Sequence, residues 1–194
     1  MNEVKDIIGE QDNTAWEMVW APYDLPTYQA VLDHVFPEDV VLEIGAGDLR
    51  LALLLAQISR KVYAVEMQRD VLELQSQSIP DNLIVLNEDA LTYPFPKDIS
   101  AAVLLMRHCT HFQTYATKLK NAGCARLITN ARWGMNVENV PLQMNRTPYR
   151  EASMGWYACW CGAVGFKPGA AELYTAEMDS NVQEVINCPQ CVVC

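Results

Sequence analysis

Short apolar runs alternate along the chain with segments of helical spacing. Val40 to Ile44 is apolar apart from Glu43 and runs directly into Gly45-Ala46-Gly47-Asp48. Leu49 to Gln57 follows as a Leu- and Ala-rich helix, and Lys61 to Glu66 as a strand of β-branched and aromatic residues. The alternation continues with a helix over Val71 to Gln77, stopped near Pro80, and a third strand from Leu83 to Asp89. Ala101 to Met106 reads as a fourth strand, Tyr115 to Ala122 as a helix closed by Gly123, and Ala125 to Thr129 as a fifth strand. Buried strands that alternate with helices predict an α/β fold whose central sheet is mostly parallel, with helices on both faces.

The pattern weakens on either side of this block. Trp16 to Leu32 concentrates aromatics, and Trp16, Trp20, Tyr23 and Tyr28 read either as core packing or as the roof of a pocket. Asp24 or Thr27 is placed to cap the helix that runs towards Val35. Trp133 to Tyr149 has few periodic signals and reads as a long loop, a candidate lid. Gly165-Phe166, Glu172 to Thr175 and Val182 to Ile186 read either as part of a separate C-terminal element or as the last helix-to-hairpin passage of the same sheet. Such a hairpin would bring Cys188 and Cys191 back beside Cys159 and Cys161. The expected organisation is an N-terminal helical cap over 1–36, the α/β domain over 37–150 and a small C-terminal element over 151–194.

The turn after the first strand carries chemistry. Gly45 and Gly47 have no Cβ, so the chain can bend sharply there and bring its N–H groups against a ligand. A dinucleotide fingerprint requires glycine at position 50, which is Arg50, and the Gly-Lys-Ser/Thr of a phosphate loop is absent. Glu43 and Asp48 flank the glycines and repel a pyrophosphate, which favours a ligand carrying positive charge. Glu66, at the end of the second strand, occupies the position from which an acid bonds ribose hydroxyls.

Positions 38 to 131 resemble the class I S-adenosylmethionine-dependent methyltransferases. The resemblance rests on the E-x-G-x-G loop at Glu43-Ile44-Gly45-Ala46-Gly47, the acid at Glu66, the pair Asp89-Ala90, and the spacings between them. It implies a Rossmann-like fold with S-adenosylmethionine as cofactor. Glu43, Gly45, Ala46 and Gly47 would then lie at the methionine part, Glu66 with Met67 at the ribose, and Asp89 with Ala90 at the adenine. Most members have a third glycine where this chain has Leu49.

A length of 194 residues suits one domain or one domain with a small appendage. A hydrophobic fraction of 51% excludes a disordered chain, and the apolar run Leu51 to Leu55 is too short to cross a bilayer. The opening residues lack the basic start and apolar core of a signal peptide, which predicts a cytoplasmic protein with no membrane partner. Fourteen basic residues against 24 acidic give a net charge of −10, which argues against nucleic acid as a partner. The main grouping of arginines, Arg126, Arg132, Arg146 and Arg150, reads as a solvated face, with an anionic substrate as the alternative.

Seven cysteines without a secretory signal point to metal or buried thiols rather than disulfides. Cys109 and Cys124 adjoin core segments and read as small buried hydrophobes. Cys159 and Cys161 form a C-x-C pair, and Cys188 and Cys191 a C-x-x-C pair, each short enough to give two thiolates to one ion. Together they resemble the two knuckles of a zinc ribbon, a closed structural Zn²⁺ site, with reduced free thiols as the alternative. Cys194 makes a further C-x-x-C with Cys191 and is either a substitute ligand or a free thiol.

The acceptor side is expected at the end of the fourth strand, Leu104 to Phe112. Relatives that methylate amino groups of nucleic-acid bases carry an Asn/Asp-Pro-Pro-Tyr-like segment here, and its absence disfavours that reaction. His108 and His111 flank Thr110, and an imidazole titrates near neutral pH, which suits a proton acceptor; the alternative is a helix cap or a solvated ring. The expected function is methyl transfer from S-adenosylmethionine to a small molecule or a protein side chain. A non-catalytic cofactor-binding scaffold with a zinc module is the second reading, and an RNA methyltransferase ranks third.

Overall fold

Val40–Ile44 forms the central strand, β1, and all of its residues are buried. A strand buried on both faces is what a parallel sheet requires, since helices cover each side. The computed structural model describes residues 22–74, 78–107, 109–134 and 136–192, so Trp16, Trp20, His108 and Cys194 lie outside the described residues. In chain order the first part comprises α1 (Leu25–Leu32), β1, α2 (Arg50–Ile58), β2 (Lys61–Val65), α3 (Arg69–Leu72), β3 (Leu83–Leu86), β4 (Ala101–Leu104), α4 (Phe112–Asn121), β5 (Arg126–Thr129) and β6 (Glu138–Pro141). Asp24 caps α1, its Oδ1 accepting the Thr27 amide at 3.0 Å.

The first sheet has the order β3-β2-β1-β4-β5-β6. Every pairing is parallel except that of β5 with β6. Side chains alternate between two cores: Val41, Val103 and Ile128 face α1 and α2, whereas Leu42, Leu104 and Leu127 face α4. This is the expected α/β Rossmann-like architecture. The chain leaves β1 towards β2 on one side and returns to β4 on the other, so the space between the carboxyl ends of β1 and β4 is a topological switch point. β3 lies at the edge of the sheet, and Ile84 is 37% exposed rather than buried.

Two readings of the second half are corrected. Trp133 to Tyr149 is not one long loop, because β6 and β7 (Thr147–Pro148) lie within it. The segment Glu138-Asn139-Val140-Pro141 buries only Val140 and carries a proline, as an edge strand tolerates, so its ladder with β5 rather than any periodicity makes it a strand. Nor do the later strands extend the first sheet. β8 (Gly155–Cys159), β9 (Val164–Lys167) and β10 (Val182–Ile186) join β7 in a second sheet of order β7-β10-β8-β9. Glu172 to Thr175 adds no strand to it, and Ala171–Leu173 is a 3₁₀ turn.

The arginine grouping is also corrected, since it is not a solvated face. The Arg132 side chain is 2% exposed and bonds Glu138 of β6 at 2.7 Å and Glu184 of β10 at 2.6 Å. Arg146, 4% exposed, reaches the same Glu184 at 3.1 Å and lies over the Trp160 ring. Arg126 pairs with Asp39. Only Arg150 stands in solvent, beside Glu151. Charges this deep persist because each is paired, and Arg132 and Arg146, through Glu184, tie the second sheet to the edge of the first.

Candidate functional site

The end of β1 bends through Gly45 at φ +73° and Gly47 at φ +56°. The amides of Gly45 and Ala46 both donate to the Val65 carbonyl, at 2.9 and 3.0 Å. A Cβ on Gly45 would stand 3.3 Å from Met106 Cε, so the turn closely approaches the segment that follows β4. Leu49, where a third glycine was expected from the resemblance, adopts φ +65°. Its left-handed conformation costs about 1–2 kcal/mol, offset by burial of the side chain. The turn thus takes a left-handed residue at this position with leucine in it.

Glu66 closes the crevice from the β2 side. Its Oε2 accepts the Gly47 amide at 3.0 Å and its Oε1 the Gln68 amide at 2.8 Å, which locks the carboxylate between the two turns. Asn87 Nδ2 donates to the carbonyls of Glu66 and Met67 at 2.9 and 3.1 Å. Met67 itself is 67% exposed. Beyond β3, Asp89 Oδ1 accepts the Leu91 amide at 2.8 Å. Lys118 Nζ of α4 then donates to the carbonyls of Ala90, Leu91 and Tyr93, at 2.6, 2.7 and 2.9 Å. Asn87 and Lys118 went unnoticed in the sequence because each acts on backbone carbonyls, which leave no residue pattern.

Glu43 lies between Ala64 of β2 and Val103 of β4 in the ladder. It is buried, and its Oε2 has no hydrogen-bond partner among the described residues. Burial first, then the nearby charges of Glu66 and Asp48, push its carboxyl well above the usual range. A carboxylate orphaned beneath a glycine turn calls for a cationic group, and the ammonium of a methionine moiety answers that requirement. S-adenosylmethionine would fit these residues: Glu43 would answer its positive charge, the Gly45–Gly47 turn would allow close backbone contact, and Glu66 would accept from its hydroxyls.

On the acceptor side, Met106 and Arg107 are exposed after β4, and the Arg107 amide donates to Tyr23 Oη at 3.2 Å. His111 occupies the N-cap position of α4, makes no capping bond with its side chain, and stands edge-on to Tyr115. Asn130, just past β5, went unremarked in the sequence because a lone asparagine carries no pattern.

Cys159, Cys161, Cys188 and Cys191 converge, with their sulfurs all within 4.8 Å of one another. Cys159 to Cys191 spans 3.5 Å, and Cys188 lies 3.7 Å from both Cys161 and Cys191, well beyond any disulfide bond. Tetrahedral zinc–thiolate bonds of about 2.3 Å set sulfurs roughly 3.8 Å apart, so the quartet has the dimensions of a Cys₄ zinc site. Burial raises the Cys159 thiol, but the amides of Cys161 and Cys188 and the thiols of Cys191 and Cys161 around its sulfur together outweigh that and lower it. Gly162 at φ +100° and Asn187 at φ +58° make the two knuckles. A Cβ on Gly162 would meet Phe112, the first residue of α4, at 3.3 Å. Of the other thiols, Cys124 is buried and Cys109 partly so.

Among solved structures, a precorrin 8w decarboxylase from Methanobacterium thermoautotrophicum is 23% identical, with a TM-score of 0.50, over 58% of this chain and 65% of that one. An rRNA methylase from Streptococcus thermophilus is 21% identical over 56% of this chain and 72% of that one, with a TM-score of 0.43. A dimethyladenosine transferase from Plasmodium falciparum is 18% identical over 55% and 41%, with a TM-score of 0.44. The match thus spans less than two thirds of the decarboxylase, and it shows the fold. No curated protein matches the sequence. The family model described as ribosomal RNA adenine dimethylase matches residues 24–128, more than half of the 194 residues. This match overturns the expectation that nucleic acid is no partner: a net charge of −10 is a whole-chain sum, whereas phosphate contacts depend on where individual Lys and Arg residues stand. The chain belongs to the ribosomal RNA adenine dimethylase family.

Proposed function

We propose that the protein is an S-adenosylmethionine-dependent methyltransferase that acts on RNA. The unpartnered oxygen of buried Glu43 beneath the Gly45–Gly47 turn carries the first half of this reading, because it asks for a cation where the cofactor's methionine end belongs. Glu66 and Met67 serve the ribose, and Asp89 with Ala90 the adenine, as in the family resembled. S-adenosylmethionine bound there would supply a methyl on a sulfonium for the acceptor's lone pair, the carbon–sulfur pair remaining with sulfur and a proton leaving the acceptor. The chain's own work is alignment and exclusion of water. His111, exposed at the mouth beside the acceptor segment, is the candidate proton acceptor within the described residues, and His108 is the neighbouring candidate outside them. Family membership supports RNA as the acceptor class.

A second reading, a small-molecule or protein acceptor, is favoured by the missing Asn/Asp-Pro-Pro-Tyr-like segment at Leu104 to Arg107. The quartet Cys159, Cys161, Cys188 and Cys191 is proposed to hold one structural zinc ion with no open position for chemistry.

Methyl transfer from labelled S-adenosylmethionine to in-vitro-transcribed ribosomal RNA, run beside an RNA-free extract of proteins and metabolites, tests the reading. Label in the RNA is the expected outcome. Label in the extract alone overturns the RNA acceptor in favour of the second reading, and label in neither removes the enzyme.

A further inference from the structure

Asn130 follows Thr129 at the carboxyl end of β5 and is 1% exposed. Neither its Oδ1 nor its Nδ2 has a hydrogen-bond partner among the described residues. Its backbone carbonyl accepts the Gly134 amide at 2.9 Å. The ladder pairs Thr129 with Leu104 on one side and with Glu138 on the other, so the next step sets Asn130 between Leu105 and Val137. Both neighbours are apolar and pack on the cluster that contains Ile128, so neither offers the amide a bond. Thr129, by contrast, satisfies its hydroxyl on the Leu104 carbonyl at 2.6 Å. Buried polar groups are nearly always paired, and an amide unanswered at both ends needs an explanation beyond folding.

Its position supplies one. β4 and β5 end beside the switch point where the Gly45–Gly47 turn opens, the region in which open α/β sheets hold their ligands. Among the described residues, Glu43 is the other buried side chain with an unpartnered oxygen at this end of the sheet. One calls for a cation, the other for a group that offers a donor and an acceptor side by side.

We propose that Asn130 recognises the methyl acceptor as an amine beside a ring nitrogen, the edge that an adenine in RNA presents. Oδ1 accepts one amine N–H and Nδ2 donates to the ring nitrogen, the two-point pairing by which asparagine reads adenine. The amide that grips the amine then comes from the end of β5, which accounts for a family member without an Asn/Asp-Pro-Pro-Tyr-like segment after β4. The assignment rests on the methyltransferase reading and adds a residue and an acceptor edge to it.

The test compares wild type with Asn130→Leu and Asn130→Ala by thermal melting, titration with S-adenosylmethionine, and methyl transfer to in-vitro-transcribed ribosomal RNA. The Leu variant is expected to melt no lower than wild type and to bind the cofactor equally. Its kcat/KM on the RNA is expected to fall about 10- to 100-fold, with a raised KM, as loss of a two-point base contact requires. Unchanged kcat/KM in either variant, or a melting temperature lowered in both, overturns the proposal, the latter because the amide would then be bonded within the fold. A wild type that binds the cofactor but leaves the RNA unmethylated overturns it too, while the methyltransferase reading stands. A wild type that binds no cofactor defeats both, and the titration tells the two failures apart.

Discussion

The Glu66 carboxylate accepts the Gly47 amide at 3.0 Å across 19 residues of sequence, so the acid assigned to a ribose also fixes the glycine turn. With the Gln68 amide on its other oxygen, Glu66 is half bound before any ligand arrives. Glu66→Ala removes both bonds and is expected to lower stability by about 1–3 kcal/mol, whereas Glu66→Gln keeps one acceptor oxygen and loses less. Urea denaturation of the two variants ranks them; equal loss in both would mean that the carboxylate does not hold the turn.

Glu43 gives the protein a pH signature. Its carboxyl is raised in the fold, so the folded state keeps a proton that the unfolded chain has already released. Stability from this group therefore declines as pH rises from the ordinary carboxylate range through the raised folded value. A cationic cofactor group beside the ionised carboxylate reverses the trend, and stabilisation by S-adenosylmethionine is expected to grow with pH. Melting curves across pH, with and without cofactor, are expected to show this dependence in wild type and a flatter one in Glu43→Gln.

The cysteine quartet is expected to hold one zinc ion per chain, measured by elemental analysis of purified protein. Cys188→Ser removes a buried ligand and is expected to lose the metal and lower the melting temperature, as a chelator does in wild type. Metal-free protein with an unaltered melting curve in Cys188→Ser would leave four reduced thiols instead.

Arg132 tests the tie between the sheets. It bonds Glu138 and Glu184 with its side chain 2% exposed, so Arg132→Met strands Glu138 and leaves Glu184 with Arg146 alone, at little cost in volume. Loss of one partner from a buried ion pair costs about 3–5 kcal/mol, and urea denaturation is expected to fall in that range. A loss well under 1 kcal/mol would mean that solvent reaches the network.

What could be read in the residues follows from how each element is stabilised. β1 and β10 fall within their expected bounds because runs of buried or β-branched residues announce themselves, and the Cys pairs are legible because ligand spacing is local. β6 was missed since Glu138–Pro141 is a strand by virtue of its partner, not its own pattern. The arginines misled for a related reason: Arg132 meets Glu184 across 52 residues, and no window along the chain contains both. Asn130 differs again. A lone asparagine has no periodicity, and its meaning arises only when Leu105 and Val137 are seen to leave it without a partner. The expectation against a nucleic-acid partner failed because net charge summed over the chain hides where cations stand.

Calorimetric titration of S-adenosylmethionine into wild type and Glu66→Ala tests the central claim most directly. Saturable one-site binding is expected in wild type, weakened about 10- to 100-fold in the variant by the loss of charge-assisted bonds to hydroxyls. No binding by wild type, or equal affinity in the two proteins, would contradict the account.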